Sequence, residues 1–237
     1  MRPLLIVKTG CTLPSLLARR GDYEDWIRDG LGLAGERIEV ASVHAGDRLP
    51  SPERLAGAVV TGSSAMVSER EPWSERAARW LATAVAAEVP LLGICYGHQL
   101  LAHGLGGRVG VNPRGREIGT VDVELYQGAR DDPLLGGFTS PLRVQATHVE
   151  SVLELPPAAR LLAASAGDPN HVFAVGRSAW GVQFHPEFDA DVTRAYIEER
   201  REILRREGLD PERLHRDVRD SADGRALLRR FAELLRA

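Results

Sequence analysis

The stretch LLGICYGHQLLA, Leu91 to Ala102, holds a buried-type strand, a sharp bend and the opening of a helix. Leu91 to Ile94 is an apolar run of the length that suits a strand covered on both faces. Gly93 and Gly97 flank Cys95 in a G-x-C-x-G arrangement, where small neighbours let the chain turn directly from strand to helix. Such a bend is expected to expose the cysteine at the top of a sheet. A sulfur at a helix N-terminus feels the positive end of the dipole, which favours thiolate over thiol. The backbone N–H of Tyr96 would then face a developing oxyanion. Taken by itself the bend also fits a packed core cysteine, since free Cys is among the most buried residue types. Other residues must decide.

Outward from this segment, short apolar runs recur at Leu4 to Val7, Ile38 to Val43 and Ala58 to Thr61. Before Leu91 lies an amphipathic helix in which Trp73, Ala77, Trp80, Leu81, Ala84 and Val85 share one face. Ser68 and Glu71 have capping-box spacing at its start, and Pro72 suits its first turn. Strand, helix, strand in this order implies a right-handed crossover and a parallel sheet. From Gly119 to Tyr126 the pattern alternates apolar and polar, as in a half-solvated antiparallel strand; LRVQAT, RLLAAS, HVFAVG and AWGVQF follow at short intervals. The tail from Asp189 carries arginines and acids in equal numbers on a helical pattern, broken by GLDPERL at Gly208 to Leu214 into at least two helices. The expectation is an open, mostly parallel α/β sheet flanked by helices, with an antiparallel part and a helical C-terminal extension. Residues 1–188 form the α/β domain, and 189–237 pack on it, as a cap over the site or against its flank.

Composition narrows the function. With 43% hydrophobic and 27% charged residues over 237 positions, the chain reads as an ordinary globule. No apolar run reaches the roughly 18 residues that span a bilayer, and the N-terminus lacks a secretory pattern, so a cytoplasmic address is expected. The two cysteines, Cys11 and Cys95, are then expected to stay reduced. A net charge of −3, with Lys8 the only lysine, offers no bulk attraction to nucleic acid.

The bend finds its partners in GVQFHPEF, Gly181 to Phe188. His185 ends a strand-like run that Pro186 cannot continue, and Glu187 stands two residues on, the spacing that sends side chains to one side of an extended chain. A carboxylate there can fix the imidazole tautomer, so that the other ring nitrogen serves the sulfur as general base and then general acid. Cys95, His185 and Glu187 make a candidate triad.

With both motifs in view, GICYGHQLLA and GVQFHPEF resemble the nucleophile and His-x-Glu motifs of class I (triad-type) glutamine amidotransferases, and within them the amidotransferase domain of GMP synthase. The resemblance runs from about Leu4 to Phe188. It implies hydrolysis of the glutamine side-chain amide through a γ-glutamyl thioester, with ammonia passed to a synthetase. It also implies a second oxyanion donor in the turn at Gly62 and Ser63, where the family often has two glycines. Gln99 matches a residue that contacts bound glutamine. ATHVESV resembles a Ser-His-x-Asp-x-Val segment that holds the substrate, which makes Thr147, His148 and Val149 pocket-lining residues, with Glu150 in place of Asp.

Remaining candidates carry less. His98 and His103 follow the bend without an acid at orienting spacing, and Cys11 stands in a loop with no base near it in sequence, a spectator or pocket-edge thiol. No Cys and His spacing predicts zinc and no phosphate-binding loop is present, so neither metal nor cofactor is expected. Without an ATP-using synthetase of its own, the chain would release ammonia or hand it to one acting in trans. The same triad would also serve a stand-alone γ-glutamyl hydrolase, and a partner-dependent or idle interaction module is the third reading. The sequence assigns no oligomeric state.

Overall fold

The computed structural model describes residues 2–33 and 37–236. The first half runs β1 (Leu4–Lys8), α1 (Pro14–Arg20), α2 (Tyr23–Leu31), β2 (Ile38–Ser42), β3 (Gly57–Val60), α3 (Pro72–Ala86), β4 (Leu91–Ile94) and α4 (Tyr96–Gly104). Then come β5 (Arg108–Val111), β6 (Glu117–Leu125), β7 (Leu142–His148), β8 (Glu150–Glu154), β9 (Ala159–Ser165), β10 (Val172–Val175) and β11 (Ala179–Val182). Four helices close the chain: α5 (Ala190–Glu199), α6 (Arg201–Arg206), α7 (Pro211–Asp217) and α8 (Asp223–Leu234).

Nine strands form one sheet in the order β2-β1-β3-β4-β11-β10-β9-β6-β7. The strands from β2 to β11 pair in parallel, and from β11 onward neighbours are antiparallel. The open, mostly parallel α/β architecture with an antiparallel part is therefore present. Strand pleating sorts the apolar runs onto two faces. Leu4 and Ile6 meet Ile27 of α2 and Phe231 of α8 in one core, while Leu5 and Val7 meet Ala77 and Leu81 of α3 and Leu100 of α4 in another. In the first, α8 sets Phe231 edge-on against Trp180 of β11, ring centroids 6.3 Å apart. Burying a side chain of this size is worth about 1.5–3 kcal/mol, which binds the tail to the same core. No helix among the described residues is long and apolar enough to cross a membrane.

Some details differ from expectation. The Ser68–Glu71 capping box does not form, because Val67–Glu69 is a separate 3-10 turn ended by Arg70 at φ +53°, which leaves Ser68 outside α3. Pro72 opens the helix behind Glu71, which makes no side-chain cap. Strands β5 and β8 form a two-stranded antiparallel sheet that the sequence pattern does not predict, whereas the tail, expected as at least two helices, folds as four.

Candidate active site

Parallel strands that leave a sheet on the same side bring their carboxyl ends together, and crevices form there. Here the bend after β4, the turn after β3, the loop after β1 and the His185 segment after β11 all converge. Cys95 occupies the bend with φ +50° and ψ −100°, an uncommon conformation for a residue with a side chain, held by its N–H bonding to Val182 O at 2.9 Å. Both glycines are steric necessities. A Cβ on Gly93 would stand 2.5 Å from Gly97 O, and one on Gly97 would stand 2.6 Å from Val60 O. The bend does not expose the sulfur as expected: Cys95 is only 6% accessible. What surface it keeps lines a cavity of about 220 Å³ beside Tyr96, Gln99, Thr147, His148, Val149 and Glu150.

His185 is placed by a backbone bridge to Gln145 of β7, and its ring lies flat on Phe188 with centroids 4.0 Å apart. Its Nδ1 faces Glu187 Oε1 at 2.8 Å, inside a pair almost wholly withdrawn from solvent. That bond leaves Nε2 for the sulfur. Burial works against a charged imidazole, yet Glu187 and the Cys95 sulfur push the His185 pKa up to about 10. Burial likewise works to raise the Cys95 pKa, and the charge and hydrogen bond of His185, with His148 behind, outweigh it and hold the thiol below its ordinary range. Both shifts run in the direction that favours a thiolate beside an imidazolium.

Gly62 lies against the imidazole: a Cβ there would come within 2.7 Å of His185 Cε1. Ser63 turns its hydroxyl back to donate to Thr9 O at 2.9 Å and to accept from Ala65 N. Thr9 in turn donates to the carbonyls of Thr61 and Gly62, so the turn is sewn to the end of β1. Tyr96 is the first residue of α4, and its amide is one of those that lack an intrahelical acceptor. Gly62→Ala is expected to displace the imidazole and cut turnover about 100-fold with the melting temperature little changed; paired kinetic and thermal measurements check this, and unchanged turnover rejects it.

The segment from Thr147 to Glu150 is fastened from three sides. Gln99 Nε2 donates to Glu150 O at 2.8 Å, Asn112 N donates to Val149 O, and His148 Nδ1 donates to Glu150 O. Gln99 therefore lines the cavity but spends its amide nitrogen on the wall, with a second bond to Gln183 Oε1. The cavity wall keeps polar atoms unmet: Thr147 Oγ1, Glu150 Oε1 and Arg200 Nη1 are buried without a hydrogen-bond partner. Buried polar atoms are rarely left so, which marks the space as fitted to a polar ligand.

Beneath His148 lies a network that sequence reading did not find. Glu117 of β6 accepts from His148 Nε2 and His171 Nε2 at 2.9 Å each and from Ser165 Oγ at 2.6 Å. These residue types also ligate cations, but here the contacts close as hydrogen bonds. Both nitrogens of His148 face oxygens, Glu150 O and Glu117 Oε2, an arrangement that favours the doubly protonated ring. Burial disfavours that charge, yet Glu117 outweighs burial and raises the His148 pKa; the two histidines in turn hold Glu117 far below the carboxylate range despite its burial. The stability from Glu117 is present above its unfolded pKa of about 4.3, and that from His148 is full below about 6.5 and fades as pH rises through its folded value. Glu117→Gln is accordingly expected to cost about 3 kcal/mol near pH 5.5 and less in alkali. Urea unfolding at the two pH values measures this, and a pH-independent cost sinks it.

Other expected bystanders are placed as follows. His98 is fully buried against Phe173, and desolvation drops its pKa to about 3. His103 does have an acid in space, Glu75 Oε1 of α3 at 2.8 Å, away from the sulfur. Cys11 is exposed, with His44 Nε2 3.9 Å from its sulfur, so a base lies nearer than the sequence implied. It lines a second cavity of about 180 Å³, together with Tyr23, His185, Tyr196 and Arg200. Of these, Tyr196 and Arg200 sit four apart on α5 and its end, a helical i, i+4 spacing visible in VTRAYIEER. Arg116, paired bidentately with Glu207 of the tail, also reaches the first cavity.

The family model for class-I glutamine amidotransferases matches residues 23–202. A glutamine-hydrolyzing GMP synthase of Aeropyrum pernix is 37% identical over 185 residues, 78% of this chain and 32% of that protein. One subunit of the glutamine-hydrolyzing GMP synthase of Halobacterium salinarum is 41% identical over 103 residues, 42% of this chain and 54% of that one. The crystal structure of a glutamine amidotransferase from Thermotoga maritima has a TM-score of 0.77 at 25% identity, covering 99% of this chain and 98% of its own. The chain spans about a third of the length of the full GMP synthases it matches.

Proposed function

Since this chain belongs to the class-I glutamine amidotransferase family, we propose that it hydrolyses the γ-amide of glutamine through a thioester on Cys95. The observation that carries the reading is the buried Nδ1 to Glu187 bond of His185, which frees Nε2 for a sulfur that opens on a polar cavity. The thiolate attacks the γ-carbonyl carbon, while amides of Tyr96 and of the Gly62–Ser63 turn receive the oxyanion. As the C–N bond breaks, His185 Nε2 gives its proton to departing ammonia. Water, deprotonated by the same nitrogen, then attacks the thioester, and glutamate leaves as the thiolate reforms. Gln99, Thr147, His148 and Val149 shape the glutamyl site.

Residues 1–188 are read as the amidotransferase unit and 189–237 as a helical extension of the same domain. Leu227, Leu228 and Phe231 of α8 lie in the core shared with β1, which supports this. A thiolate nucleophile suits a reducing compartment, hence the cytoplasm. Relatives named as separate subunits of GMP synthase favour an ammonia-accepting synthetase in trans. The test is incubation with glutamine, following glutamate, ammonia and a glutamyl mass increment on the Cys95 peptide. Absence of all three, with and without a cell extract to supply a partner, rejects the reading.

A further inference from the structure

Cys95 and His185 open on different cavities. Cys95 lines the first, with Gln99 and the Thr147–Glu150 segment; His185 lines the second, with Tyr23, Tyr196 and Cys11. Ser63, Ser64, Thr147 and Arg200 belong to both walls, so the two spaces adjoin across the catalytic pair. In acyl transfer the acyl portion stays with the nucleophile, and the leaving group departs on the face of the general acid. The chamber beside His185 is therefore where the departing amine is released. Ammonia is of water size, and a water fills about 30 Å³ of liquid; the chamber measures about 180 Å³.

Arg200 supplies the chemistry of that chamber. Its guanidinium lies over the Tyr196 ring at 4.6 Å, Nη1 is buried without a partner, and no carboxylate pairs with it among the described residues. Arg116, the other arginine of the site, is by contrast neutralised by Glu207. Arginine matches carboxylates in a planar, two-pronged geometry, and a half-buried cation left unpaired is costly until an anion arrives.

We propose that the His185-side cavity is a leaving-group subsite in which Arg200 anchors a carboxylate, so that the site accepts γ-glutamyl compounds whose departing amine is itself an amino acid. This rests on Cys95 attacking a γ-glutamyl carbonyl. The thiolate forms a bond to the γ-carbon, the C–N bond breaks, and the amino acid's nitrogen takes the His185 proton. Water then cleaves the thioester, giving glutamate and the free amino acid, with no redox partner required.

The experiment compares γ-glutamylglycine with its neutral isostere γ-glutamylglycinamide. Wild type is expected to favour the acid by about 10- to 100-fold in kcat/KM, the range for a charge-assisted hydrogen bond. Arg200→Gln is expected to bring that ratio close to one, and Arg200→Lys to keep part of it. Equal rates on acid and amide in wild type overturn the proposal, as does a ratio that survives Arg200→Gln; the latter places Arg200 on the glutamyl portion shared by both. Calorimetric binding of the same pair to Cys95→Ala reads the anchor without chemistry. A preference there with no turnover in wild type rejects the thioester reading alone, and no preference there rejects the anchor alone.

Discussion

Cys95→Ala is expected to lower glutamine hydrolysis by about a thousandfold or more, to a residue set by binding and the oxyanion donors. The fold should survive, because the bend is held by Gly93, Gly97 and the Cys95 N–H bond to Val182, none of which needs the sulfur. The variant also removes the sulfur that, with Glu187, raises the His185 pKa. Alkylation offers an independent readout. Burial raises the thiol and the His185 charge lowers it further, so the net direction is downward. Labelling of the Cys95 peptide by iodoacetamide should therefore persist at pH values below those at which an ordinary thiol, near 8.5, has lost reactivity. Cys11 shifts the other way, raised by burial and by Asp22, and serves as the internal control. Coincident profiles for the two peptides, or wild-type turnover in the alanine variant, defeat the assignment.

How much of this was legible from residues alone follows from the range of the forces involved. The strand β4 and the elbow were readable because local sterics dictate them: a bend this tight admits only glycine at Gly93 and Gly97. His185 and Glu187 were readable because they are two residues apart, and a short extended segment fixes their common side. Strands β5 and β8 were not, since Arg108–Val111 carries little apolar pattern and pairs with a partner about forty residues on. The Glu117–His148–His171 cluster joins three strands or strand ends, and no local spacing announces it. Arg200 was hidden for another reason. In a tail where arginines and acids are equal in number, a solvated ion-paired face is the ordinary outcome, and only the fold shows which guanidinium turns inward without a carboxylate. The side chains proposed to carry the chemistry were thus visible as local motifs, while those that set the surroundings depended on long-range packing.

The acid of the proposed triad gives the sharpest test of how that packing tunes the chemistry. Glu187→Gln keeps the volume of a side chain with no measurable exposure, yet removes the charge that, against desolvation, does most to keep His185 protonated. The amide can also offer its NH₂ to Nδ1, which would turn the remaining proton to Nε2 and leave no base facing the sulfur. Turnover is expected to drop by about 10³- to 10⁴-fold, as when a triad acid elsewhere becomes its amide. The sign of the pH effect separates this from loss of structure. Glu187 and the Cys95 sulfur, against burial, push the His185 pKa up to about 10, so an alkaline limb that reports the imidazolium is expected to lie high. Without the carboxylate the folded pKa falls toward about 6.5, and that limb must move toward neutrality. The stability the imidazolium confers is full below its unfolded value and is lost as pH rises through the folded one. The variant should therefore be least stable relative to wild type in mild acid to neutral buffer, and the two should converge above pH 10. A large rate loss with an unmoved alkaline limb would mean that Glu187 merely holds the loop, and that the imidazole owes its charge to another neighbour.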